Sequence, residues 1–217
     1  QKINELPRRD IMMFETPQPW EEILDFWLGQ DRDSRDWPDP ATASRWFRGG
    51  AALDAEIGEH FGALVEAALG NELVEWENRP EARLALILLL DQFTRNMYRG
   101  KARAFDGDNR AQTLVQEGLA LNLDASLPWA GRGFFLMPLM HAEDAELQDR
   151  SVACFQRLHE QAPPDVAEQI ADNLEHARDH HEVIQRFGRF PHRNRALGRK
   201  NTADEEAFLR ASKSHGQ

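Results

Sequence analysis

At 217 residues, the chain has the usual size of one domain, and a chain of this length can bury roughly 70% of its unfolded surface without covalent staples. A formal net charge of −11 works against general binding to nucleic acid or to an anionic membrane, so neither partner is expected. The single cysteine, Cys154, excludes an internal disulfide; beside Val152 and Phe155 it reads as a small buried hydrophobe in a reducing compartment.

Residues 1–19 read as an N-terminal extension. Charges are scattered among the apolar residues of Gln1 to Met13, and the unbroken apolar stretch of a secretory signal is missing, which points to a cytoplasmic protein. The longest strongly apolar run, Leu84 to Leu90, falls far short of the roughly 20 residues of a membrane-spanning helix and reads as core.

From residue 20 onward the pattern predicts one all-α domain, a helical array. Helix signals follow one another over Trp20 to Leu28, Ala41 to Phe47, Ala51 to Leu69, Glu81 to Tyr98, Asp108 to Leu121, Leu139 to Leu158, Asp165 to Phe187 and Ala203 to Ser212, while strand alternation is scarce. Thr202 with Glu205 three residues on forms a capping-box pattern that starts the last helix. Pro138 suits the first turn of the helix carrying Leu139, and Gly100 suits the end of the helix that finishes near Tyr98.

Three segments concentrate chemistry. In RLALILLLDQFTRNMYRG, Arg83 to Gly100, the first half is apolar all round and so buried on every side. Asp91, Gln92, Arg95 and Asn96 therefore leave the core within one to two turns, and Asp91 and Arg95 are spaced to pair on one face. They are a structural ion pair, or a rigid helix presenting a carboxylate and a guanidinium to a pocket. In FFLMPLMHAEDAELQ, Phe134 to Gln148, a continuous helix would place His141, Asp144 and Gln148 on one stripe. A His with an acid one turn on is an oriented general base, half of a metal site, or a hydrogen-bonded tie between helices.

On the helix from Asp165 to Phe187, the apolar stripe through Val166, Ile170, Leu174, Ala177, His181 and Ile184 makes His181 a core residue. His176 and His180 then fall on an adjoining, solvated face; Arg178 and Asp179 between them lack the Glu of a zincin pattern. No metal or cofactor is indicated. The third segment, RFGRFPHRNRALGRK, Arg186 to Lys200, carries six Lys or Arg and no acid, and no amphipathic helix can be drawn through it. Arg189 and Arg193, with His192 and Asn194, could hold a carboxylate or phosphate, or could answer acids elsewhere in the chain.

Taken together, DFWL (Asp25 to Leu28), RWF (Arg45 to Phe47), LALILLLDQFTRNMYRG (Leu84 to Gly100), ARAFDGD (Ala102 to Asp108), FFLMPLMHAED (Phe134 to Asp144) with Gln148, and RFGRFPHRN (Arg186 to Asn194) resemble one bacterial family, domain of unknown function 924. The resemblance runs from about Trp20 to Leu209 and implies an all-α fold similar to tetratricopeptide-repeat proteins. Thr94 stands where the family pattern has Pro, and Lys101 where it has Thr. The family carries no established activity or catalytic residues.

The functional expectation is therefore physical: an enzyme or binding protein for a small anionic ligand. Catalytic candidates are His141, Asp144 and His192; ligand-binding candidates are Asp91, Arg95, Asn96, Arg189, Arg193 and Asn194. The alternative is a helical-repeat-like module that binds a peptide or protein in a groove and catalyses nothing.

Overall fold

The computed structural model describes residues 16–214; most of the expected N-terminal extension, residues 1–15, lies outside the described residues. Every regular element among the described residues is helical. No described helix is long and apolar enough to cross a membrane.

Local chemistry sets the first boundaries. Helix α1, Pro19–Leu28, opens on a proline at its first position, and Glu21 reaches back to accept from the Gln18 backbone N–H at 2.7 Å. Asp39 caps α2, Pro40–Arg48, by accepting from the N–H groups of Ala41 and Thr42 at 2.9 and 3.0 Å. Although α2 buries no residue fully, Arg45 and the Trp46 indole donate to the Phe26 and Trp27 carbonyls, which tie it over the end of α1.

The long amphipathic α3, Ala51–Leu69, packs along the end of the central helix, which is built from α4, Pro80–Ile87, a π-helical turn at Leu88–Phe93, and α5, Thr94–Met97. Ala82 to Leu90 are all buried, as a run apolar on every side requires. Helix α1 covers one side of α4, and α6, Asp108–Ala120, and α7, Trp129–Met140, cover others. Helices α8, Ala145–Gln161, and α9, Ala167–Phe187, stack on α7 in turn. Finally α10, Ala203–Ser214, packs on the turn at Pro191–Arg193. Phe26, Trp27, Phe61, Phe93, Trp46 and Phe134 interlock between these layers, edge to face except for the tilted Phe61–Phe93 pair, with centroid separations of 4.7 to 5.4 Å for the nearest pairs.

Two expectations about boundaries change. The single helix expected over Leu139 to Leu158 is broken, because the Asp144 side chain accepts the Leu147 N–H at 2.8 Å and starts α8 afresh. Pro138 accordingly lies inside the last turn of α7 rather than at a helix start. The capping box at Thr202 and Glu205 forms as its spacing suggests, with reciprocal bonds of 2.8 and 3.1 Å. Gly100 takes a positive φ of 77° just beyond α5.

One glycine sets how closely two elements approach. A methyl group at Gly107 would lie 2.3 Å from the Leu90 carbonyl oxygen and 2.9 Å from the Leu90 Cα, so no side chain fits where the start of α6 crosses the π-helical turn. We expect Gly107→Ala to cost about 1 to 3 kcal/mol or more, since backbone rather than a flexible side chain must give way. Urea denaturation checks this; an unchanged midpoint would mean that the contact relaxes freely.

Candidate functional site

The π-helical turn places Asp91 at the centre of the molecule, fully buried beside Leu89 and Leu90. Such turns widen a helix locally and often mark functional positions. The freed geometry is stabilised from within, as the Thr94 hydroxyl donates to the Leu90 carbonyl at 2.8 Å. A carboxylate buried this deeply needs a full set of donors. Oδ1 lies 2.7 Å from Nδ1 of His141, Oδ2 accepts from the Gln92 amide at 2.7 Å, and the Arg95 guanidinium lies 3.5 Å from Oδ1. Burial by itself would raise the Asp91 pKa; attraction to His141 and to the charged Arg95, with the hydrogen bonds from His141 and Gln92, outweighs it and holds the carboxyl well below the usual range.

His141 is held from three directions. It ends α7, where the buried Gln148 amide of α8 donates to the carbonyls of Met140 and Ala142 at 2.7 and 2.8 Å and so secures the chain on either side of the imidazole. Arg193 donates to the His141 carbonyl at 2.8 Å. Its guanidinium is sandwiched between the rings of Phe105 and Phe190, each 4.6 Å away. Burial, with the charge of Arg95 adding to it, lowers the Arg193 pKa to about 10, which leaves it charged at neutral pH.

Asp108, at the start of α6, binds Arg95 through two bonds of 2.8 and 3.0 Å and stands 3.4 Å from Arg193. Burial works against the charge of Arg95, yet Asp91 and Asp108 outweigh it and raise the pKa. Asp91, Asp108, Arg95 and Arg193 thus form two acids answered by two bases, with no formal charge left over.

A cleft of about 270 Å³ opens beside His141. Trp37, Trp46, Phe134, Met137 and Met140 give it an apolar wall, and Gln92, Arg95, His141, Asn173, His176 and His180 give it a polar side. The rings of His141 and His180 stand 6.0 Å apart, and His180 Nδ1 lies 2.7 Å from the His176 carbonyl oxygen. Burial pushes the His180 pKa down to about 4. No group of three or more His, Cys, Asp or Glu arranged to hold a metal occurs among the described residues.

The family described as "Bacterial protein of unknown function (DUF924)" matches residues 23–213. The chain belongs to this family. A solved structure, "Structure of Protein of Unknown Function ATU0120 from Agrobacterium tumefaciens", is 34% identical, covers 88% of this chain and 96% of that chain, and superposes with a TM-score of 0.73. No curated protein matches the chain.

In this DUF924 chain the sequence-predicted residues divide into three groups. Asp91, Arg95 and His141 meet at the cleft, with Arg193 behind them. Asn96 faces the other way and donates to Asp54 at 2.8 Å, next to Arg99. Asp144 is an exposed helix cap; the helix break carries it away from His141, whose carboxylate partner is Asp91. The anion cradle expected from Arg189, Arg193 and His192 does not form. Arg189 is committed to Glu205 through bonds of 2.8 and 3.0 Å, Asn194 is buried between Asn201 and Glu205, and His192 is exposed against Phe208. The reading in which these cations answer acids elsewhere describes the loop, as Arg199 also pairs with Glu143 through two bonds of 2.8 Å.

Sequence reasoning missed Asp108 and the aromatic wall, and it exchanged two histidines. His181 is a half-buried partner of Asp149 at 2.7 Å, whereas His180 faces His141. Helical phase does not separate the two: His180 lies three residues from buried Ala177 and four from buried Ile184, and His181 lies four and three, so the phase of α9 carried no signal that could have told them apart.

The depressed His180 pKa has a definite sign for stability. Between about pH 6.5, the ordinary histidine value, and about 4, the unfolded chain binds a proton that the folded chain refuses, so this contribution is present above the window and is lost as pH falls through it. His180→Phe should remove that part of the pH dependence. Asp91, with its depressed carboxyl, contributes stability that is lost only at lower pH, below the ordinary carboxylate value. Asp91→Ala at neutral pH should cost about 3 to 5 kcal/mol, because Arg95 loses a buried counter-charge and His141 its acceptor. Denaturant titrations between pH 4 and 8 on the three proteins check both points; a His180→Phe protein with an unaltered slope would place His180 in solvent.

Proposed function

We propose that the cleft binds a small molecule and that His141, oriented by Asp91, acts there as a general base. The observation that carries this reading is the 2.7 Å contact between a fully buried carboxylate and Nδ1 of a histidine that lines an aromatic cleft. An ionised carboxylate only accepts, so in the neutral ring Nδ1 carries the proton and Nε2 holds the lone pair. Among the described residues Nε2 has no protein partner, which leaves it to meet a ligand. Asp91 then does two things: it fixes the tautomer and ring orientation, and it stabilises the imidazolium formed when Nε2 takes a proton.

The rest of the site supports the same chemistry. The apolar wall supplies contact area for the body of a ligand, while Arg95 sits close enough to the polar side to stabilise negative charge developing there on proton loss. An anionic ligand, in this reading, is one generated in place by proton transfer to His141. A rigid base, an electrostatic neighbour and a water-poor wall are the elements of proton abstraction from a hydroxyl or an activated carbon.

The test is a screen of small aromatic compounds by ligand-observed NMR and thermal shift, with the imidazole signals of His141 and the indole signals of Trp46 as reporters. Binders should perturb both residues, and at 100 times the dissociation constant they should stabilise the protein by roughly 2.7 kcal/mol. Asp91→Asn substitutes an amide that can donate to Nδ1; it should reverse the His141 tautomer and lower any turnover by on the order of 10⁴. Binders that map only to other surfaces, or turnover that survives His141→Phe, would sink the reading.

A further inference from the structure

The hydrogen-bond directions around the cleft identify the class of ligand it takes; the argument rests on the reading of the cleft just given. Because the Asp91 carboxylate only accepts, the Gln92 side chain must turn its NH₂ toward it, as the 2.7 Å contact from Nε2 records, and this leaves Oε1 of Gln92 as an acceptor. In the neutral ring of His141 the same carboxylate fixes the proton on Nδ1 and leaves Nε2 as an acceptor. His180 is fixed independently. Its Nδ1 lies 2.7 Å from the His176 carbonyl oxygen, which also only accepts, so its Nε2 is unprotonated. The low pKa of about 4 that burial imposes keeps this ring neutral at physiological pH. All three residues line the one cleft, and the two rings stand 6.0 Å apart.

Three neutral acceptors on one polar side call for a ligand head that donates. A fixed anion would meet lone pairs with the Asp91 carboxylate behind them, and the guanidiniums of Arg95 and Arg193 are already engaged by Asp108, Asp91 and the His141 carbonyl. A fixed cation would donate well but would sit beside Arg95, which lines the same cleft. We propose that the ligand is a small neutral compound with at least two hydroxyl groups, such as a vicinal diol on an apolar or ring-shaped body, its hydroxyls donating to His141, His180 and Gln92. The wall of Trp37, Trp46 and Phe134 takes the body of such a compound face on. One hydroxyl, bound at His141 Nε2, is the group whose proton the base removes.

The test uses three compounds with one body and three heads: 1-phenyl-1,2-ethanediol, which is neutral, mandelate, which replaces one hydroxymethyl with a carboxylate, and 2-amino-2-phenylethanol, which is a cation at neutral pH. In NMR titrations of the full chain, the diol should bind at least about tenfold more tightly than the other two. Each of His180→Phe and Gln92→Leu should weaken it by about tenfold, the usual effect of losing one hydrogen bond. Tighter binding of mandelate or the amine, at a site that reports on His141, would overturn the inference and leave the cleft reading in place. Failure of all three to perturb His141 or Trp46 would overturn both. A measurement on the unmodified protein stands apart from any variant's folding: two-bond nitrogen–proton correlation spectra should show protonated Nδ1 and unprotonated Nε2 on both His141 and His180. An Nε2-protonated tautomer at either ring would refute the proposal.

Discussion

A carboxylate shut away from bulk solvent sits at the centre of this molecule, and the arrangement around it follows from the need to satisfy it. Asp91 is fully buried in a π-helical turn of the central helix. Left unpaired there it would carry a desolvation penalty of several kcal/mol. Its donors come from its own helix, through Gln92 and Arg95, and from the end of α7, through His141. Each donor is in turn held by something else. Arg95 is held by Asp108 and His141 by the chain on either side of it, which Gln148 and Arg193 secure. His141, the proposed base, is thus the outermost member of a network whose innermost member is structural.

The basic segment between α9 and α10 is a clasp. Arg193 reaches inward to Asp108 and His141, Arg199 to Glu143, and Arg189 to Glu205. Glu143 also accepts the Phe190 backbone N–H, so the residue just beyond the cleft histidine is bonded to the loop that covers it. Half of the segment's six cations, Arg189, Arg193 and Arg199, are answered by intramolecular acids, which is how an acidic chain accommodates so basic a stretch.

Much of the fold was legible because long amphipathic periods leave few alternatives, and the all-apolar run at Leu84 to Leu90 could only be central. Asp91 and Arg95 were legible for the same reason: polar groups following such a run must be paired. What could not be read was long-range partnership. Asp144 is near His141 in sequence and in helical phase, and nothing local showed that its own side chain would cap the next helix and break that phase. Asp91, fifty residues earlier, is the true partner. Asp108 was legible as the start of a helix but not as the partner of Arg95 and Arg193, a role that depends on Gly107 letting α6 approach the Leu90 backbone. His180 and His181 differ by one position, an angle of about 100° on a helix, and only the packing of α9 against α7 decides which one faces inward.

The clasp also sets an order of assembly on the ribosome. Arg193 follows Asp108 by 85 residues and the His141 carbonyl by 52. Synthesis runs from the N-terminus at about 5 to 20 residues per second, and helical neighbours pair as they emerge. For several seconds, then, a nascent chain holds its central helices and its catalytic candidate without the guanidinium that braces them. The acids at this centre wait for a cation that is translated late, and a chaperone that shields exposed helical surface would find its longest opportunity in that interval.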